Sequence, residues 1–304
     1  MEIGMVLLKQ IVIMFLLMAV GFYLYRQNII TDQGSRDIGK ILLYLVIPVV
    51  VVMSFWIERT PETTESLFHS NLLSTAAMVL SVSVSWMIFY NNDGVACFSS
   101  SFSNVGFIGI PLVQAVLGSS AVFYISIMIV IVNILQWTVG IFMITRNKES
   151  MDIKKLIRNP IVISVAIGMI LYFLRIPCPP IADTLCTAIK GLNTPLAMLV
   201  SGVYLAQSDL LKMIKQKKTW IVCAVRLVVI PLLTIILLKW IPFGSDTLKL
   251  AVLLAAACPV GSNVAIFAQQ YHADYREAAE HVCISTVSCL FTLPLIAIVG
   301  AYII

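Results

Sequence analysis

"SFSNVGFIGIPL", residues 101–112, decides the fold, because it interrupts an apolar run otherwise long enough to cross a bilayer. Asn104, Gly106, Gly109 and Pro111 fall within eight positions of it. Glycine lets a backbone leave helical geometry, and proline removes a donor and clashes with the preceding turn. The spacing therefore predicts a helix that opens near its middle. A second interruption, "ACPVGSNVAIFAQQY" (257–271), sets Pro259, Gly261, Ser262 and Asn263 into a run otherwise made largely of Ala, Leu, Val and Phe. Backbone freed at membrane depth survives only where protein buries it or where it lines a wet cavity. Half-helix N-termini present partial positive charge there, and unwound carbonyls and Asn side chains add donors and acceptors. Two such breaks predict a binding site for a small anionic solute, whereas a single Pro or Gly in a membrane helix is usually a packing kink.

The composition sets this reading in a membrane. Of 304 residues, 60% are hydrophobic and 12% charged, with a mean hydropathy of +0.98; soluble domains run at about 45–50% apolar and about 25% charged. The first apolar run, 3–25, lacks a basic leader and a small-x-small cleavage site, which predicts a retained span rather than a signal peptide. The seven cysteines form no C-x-x-C pair, so neither a disulfide framework nor a metal site is expected. No cofactor motif is present. The net charge of +5 is scattered, without the basic stripe of a nucleic-acid-binding protein.

Hydropathy and breaker residues predict ten spans, at 3–25, 38–56, 68–89, 94–117, 121–145, 160–176, 181–205, 219–241, 247–271 and 280–303. The basic loop "RNKESMDIKKLIRN" (146–159) divides them into two groups of five, 1–145 and 160–304. Lys and Arg concentrate in alternate loops, at Arg26, Arg36 and Lys40, then Lys148, Lys154 and Lys155, then Lys212 and Lys218. By the positive-inside rule both termini lie outside. Five spans per half give the halves opposite orientation, an inverted repeat if they are related. Pro48 and Pro195 are 147 residues apart, and Pro111 and Pro259 are 148 apart, which supports that relation.

Four stretches resemble the auxin efflux carrier family: "GFYLYRQNIITDQGSRDIGKILLYLVIPVVVVMSF" (21–55), "SSFSNVGFIGIPL" (100–112), "TPLAMLVSGVYLA" (194–206) and "CPVGSNVAIFAQQYHADYREAAEHVCISTVSCLFTLPL" (258–295). The chain looks like a bacterial member of it, similar to organic-acid or malate permeases. The resemblance implies an all-α integral membrane protein. Its ten transmembrane helices form two inverted five-helix repeats, with broken crossover helices at the fourth and ninth positions. It implies a dimerising scaffold from helices 1, 2, 6 and 7 and a transport domain from helices 3–5 and 8–10, moving as an elevator in the inner (plasma) membrane. It also implies that Pro111 and Pro259 mark the crossover and that Asn104 and Asn263 contact the substrate, with Gly106 and Ser262 beside them. The long cytoplasmic loop of the larger plant carriers is absent, which argues against auxin itself.

Charged and polar residues inside spans complete the candidates. Arg226, in "IVCAVRLVVIPLL", is expected either to grip a carboxylate bidentately beside the crossover or to snorkel to the inner interface. Asn133 and Gln136 share a helical face at i, i+3, and serve either the site or interhelical hydrogen bonding. Proton or sodium coupling is open; deep carboxylates are lacking, so a coupling proton falls to the substrate carboxylate or to boundary groups such as Asp93 or Glu280. His69, His272 and His281 read as interfacial.

A secondary transporter of small organic anions is the leading reading. A membrane sensor built on a transporter fold has the same ligand chemistry and remains the alternative. An ion channel would need charged rings or a continuous polar lining, and no nucleotide-binding or hydrolase motif points to a pump or an enzyme.

Overall fold

A computed structural model of the chain describes residues 2–89, 91, 93–147, 158–207 and 215–304, with side chains from residue 9 onward. The centre of the basic linker, 148–157, and the loop residue Lys212 lie outside the described residues.

The described residues are helical, and the one β-type pairing among them is an isolated antiparallel bridge between Ser103 and Val260. In chain order the helices are α1 (Glu2–Arg26), α2 (Asp32–Phe55), α3 (Pro61–Phe89), α4a (Gly94–Ser101), α4b (Val105–Leu117), α5 (Ser119–Thr145), α6 (Pro160–Leu174), α7a (Pro180–Gly191), α7b (Asn193–Gln207), α8 (Lys217–Trp240), α9a (Asp246–Ala256), α9b (Asn263–Gln270) and α10 (Tyr275–Ile303). Six of them, α1, α2, α3, α5, α8 and α10, are long and apolar enough to cross a membrane. The other four expected spans are the 15-residue α6 and the three split helices.

Side-chain caps start many of these helices. Thr31 accepts the Gly34 N–H at 3.1 Å, Asp93 the Ala96 N–H at 2.9 Å, Asn159 the Ile161 N–H at 2.9 Å and Ser245 the Leu248 N–H at 3.2 Å. Asp274 accepts from both Arg276 and Glu277, at 3.0 Å each. Such caps satisfy donors that have no partner in the first turn.

Three prolines act at a distance rather than at the breaks. The turns Leu42–Val46, Val105–Gly109 and Val225–Val229 are wide, π-type turns, and Pro48, Pro111 and Pro231 each follow two residues later. The proline ring clashes with the carbonyl four residues back and offers it no N–H, and one extra residue in the turn relieves both problems. A fourth wide turn, Gln136–Gly140, ends on glycine instead.

Packing is tightest where side chains are smallest. α1 lies along α7b, and α2 along α6. A Cβ on Gly202 would meet the Met18 carbonyl and the Phe22 nitrogen, and one on Gly21 would meet the Leu199 main chain. Lipid tails are as apolar as the helices, so close van der Waals contact of this kind replaces the hydrophobic drive available in water.

Candidate functional site

The fourth expected span stops at Ser101 and resumes at Val105, and the ninth stops at Ala256 and resumes at Asn263. The two gaps touch each other main chain to main chain. Asn104 donates its N–H to the Pro259 carbonyl at 2.8 Å, and Gly261 donates to the Phe102 carbonyl at 2.9 Å. The Val260 N–H is taken by Ser285 Oγ of α10 at 3.1 Å. Three main-chain donors freed by the breaks are thereby paired within the protein, in keeping with what a bilayer interior requires.

Around this joint the sequence candidates separate. Asn104, 8% exposed, caps α4b: its Oδ1 accepts the Phe107 N–H at 3.2 Å, and its carbonyl accepts from Ile108 and Gly109. Asn263 opens α9b and donates Nδ2–H to Gln136 Oε1 at 3.0 Å. Gln136, 2% exposed, also has its Nε2 beside Gly261, 3.5 Å from where a Cβ would stand. Among the described residues no hydrogen bond uses Asn104 Nδ2, Gln136 Nε2 or Asn263 Oδ1, and Ser103 Oγ is buried without a partner. Gly106, Ser262 and Asn263 are half-buried, so the joint is reachable from one side.

Three expectations change, and a fourth is decided between its two alternatives. Pro259 is in the joint, but Pro111 lies outside it, beyond the wide turn Val105–Gly109. Asn133 takes the interhelical alternative: its Nδ2 donates to the Ile129 carbonyl at 2.8 Å, and its Oδ1 accepts from Asn159 at 3.3 Å, which ties α5 to the start of α6 while Gln136 turns to the joint. Arg226 neither snorkels nor offers its terminal nitrogens to a solute. It is 1% exposed, and both Nη atoms bond to protein oxygens. His281 is not interfacial but fully buried, its Nδ1 2.9 Å from Ser99 Oγ.

The boundary carboxylates form a cluster where α4a, α8 and α10 begin. Lys218 pairs with Asp93 and, at 2.7 Å, with Glu277, whose Oε1 is 3.6 Å from His281 Nε2. Glu280 makes no ion pair among the described residues, so Glu277 holds the position expected for Glu280, one helical turn earlier. Neither Glu277 nor Ser285 stands out in the sequence, since one sits in a polar helix start and the other in an ordinary Ser-Thr pair. Replacing Lys218 with methionine leaves two carboxylates facing each other. Because the lysine is 49% exposed, the expected loss is about 1–2 kcal/mol rather than that of a fully buried pair. Melting of the purified protein in detergent measures it. Retention by Lys218→Arg is expected, and wild-type melting of Lys218→Met would show that the cluster contributes nothing to stability.

A family model described as "Membrane transport protein" matches residues 6–297. A protein of Rhizobium meliloti (strain 1021) named "Putative malonate transporter" is 24% identical over 287 residues, covering 87% of each chain. With its apolar helices and with both interrupted segments inside the matched region, the chain belongs to the membrane transport protein family, that of the auxin efflux carriers its sequence resembles.

Proposed function

We propose that the chain carries small organic anions, dicarboxylates of malonate or malate size first, as a secondary transporter whose site is the joint between the two broken helices. The observation that carries this reading is the pair of uncommitted amide NH2 groups there, Asn104 Nδ2 and Gln136 Nε2. They stand beside the N-terminal ends of α4b and α9b, which add partial positive charge. A carboxylate accepts from such donors and needs no fixed cation to be held. The name of the Rhizobium relative supports the size class.

In this reading 1–145 and 160–304 are inverted repeats of five spans each, both termini lie outside, and the linker 146–159 is cytoplasmic. Helices α3–α5 and α8–α10 carry the solute past α1, α2, α6 and α7, which form the scaffold of a homodimer in the inner membrane. The close pairing of α1 with α7b and of α2 with α6 supports that division. Alternating access needs two rigid groups of helices around a fixed midplane site.

Counterflow tests it. Proteoliposomes preloaded with unlabelled malonate, malate, a monocarboxylate or an indole carboxylate are presented with labelled malonate. Saturable accumulation driven by the dicarboxylates is expected. Absence of accumulation with every preload, from protein that is monodisperse and folded, would overturn the reading.

A further inference from the structure

Among the described residues Arg226 heads the fully buried side chains in size, and no carboxylate pairs with it. Its hydrogen bonds go to the ends of two helices. Nη1 donates to the Ser100 carbonyl at 3.1 Å and the Ser101 carbonyl at 3.2 Å, the last two residues of α4a. Nη2 donates to the carbonyl of Ala256, the last residue of α9a. Ser81 of α3 completes the arrangement: it accepts from Nη1 at 3.0 Å and donates to the Ser101 carbonyl at 2.7 Å. Nε is buried without a partner, so the fork engages the protein through its outer nitrogens.

The signs and sizes of the charges match. A helix C-terminus carries about half an elementary negative charge on its unsatisfied carbonyls. Two such ends converge here, about one negative charge in all, and one guanidinium meets them. In carriers built on broken helices, half-helix C-terminal ends and unwound carbonyls are where the coupling Na+ or proton is held. We propose that Arg226 is a built-in counter-cation. As a positioning residue it holds the ends of α4a and α9a together in the place an alkali cation would take, and the joint is electrically balanced with no bound Na+. The inference concerns the joint itself and stands whichever solute is carried.

The test reads binding rather than transport, so a wrong substrate class does not affect it. Purified full-length protein is melted in detergent against millimolar Na+ or methylguanidinium, with choline holding ionic strength constant. The wild type is expected to respond to neither ion. Arg226→Ala is expected to melt lower and to regain stability saturably with methylguanidinium or Na+. Arg226→Met, which fills the space without charge, stays low and unresponsive, and Arg226→Lys lies between wild type and Ala. The proposal is overturned if Arg226→Met melts like the wild type, if folded Arg226→Ala responds to neither ion, or if Na+ saturably stabilises the wild type. If Arg226→Ala yields no folded protein, the Lys and Met variants decide: recovery of Lys alone supports the counter-cation, and equal recovery of both overturns it.

Discussion

If malonate is carried as proposed, Asn104→Ala is expected to lower its counterflow by about tenfold to a hundredfold while the protein remains folded. A hydrogen bond to a charged partner is worth about 1.5–3 kcal/mol, and each 1.4 kcal/mol is about tenfold in affinity. The side chain also caps α4b, so alanine costs about 0.5–2 kcal/mol of stability. The main-chain bond from Asn104 to Pro259 is kept, because alanine retains the N–H. Asn263→Ala acts less directly, releasing Gln136 from the hydrogen bond that orients its amide, and a combined Asn104→Ala, Asn263→Ala variant falls to background. Initial rates over a range of external malonate separate binding from turnover. Wild-type kinetics in both single variants would remove the joint from the transport mechanism.

The second large effect is on folding. Gly202→Ala puts a methyl group against the Met18 carbonyl and the Phe22 nitrogen of α1. These are main-chain atoms of a helix and cannot rotate away, so α1 must move off α7b along its length. Overpacking of this kind costs about 1–3 kcal/mol and occasionally more. Gly21→Ala, which meets Leu199 from the other side of the same contact, should cost a similar amount. The two together should cost less than the sum, since one displacement of α1 relieves both. Thermal melting and monodisperse yield in detergent measure this, and wild-type melting of Gly202→Ala would mean that the two helices are not so closely apposed in the membrane.

The local part of this architecture was legible in the chain. Six continuous apolar helices occupy the positions hydropathy assigned them, and the gaps at 102–104 and 257–262 fall within the two stretches marked by Asn, Gly and Pro. Two kinds of information were not legible. One is helical phase: wide turns upstream of Pro48, Pro111 and Pro231 shift every later residue around its axis. Asn133 and Gln136 are three residues apart, yet one meets Asn159 and the other Asn263, which the spacing alone does not reveal. The other is long-range partnership. The Arg226 contacts lie 30, 125, 126 and 145 residues away, and carbonyl acceptors leave no mark on composition. A buried arginine therefore suggested a carboxylate, when the oxygens it meets belong to three peptide groups and the Ser81 hydroxyl. The choice of Glu277 over Glu280 has the same origin, since the two share a helix face one turn apart and only the folded position of Lys218 selects between them.

The joint between the broken helices is fastened by peptide groups at Phe102, Asn104, Pro259 and Gly261. Side-chain replacement at Ser103 or Val260 leaves both fastenings in place, and only proline at 104 or 261 would delete a donor. The residues of the bridge can thus change in shape and polarity without loss of either fastening. What the two bonds fix there is a backbone course, which many different residues can follow.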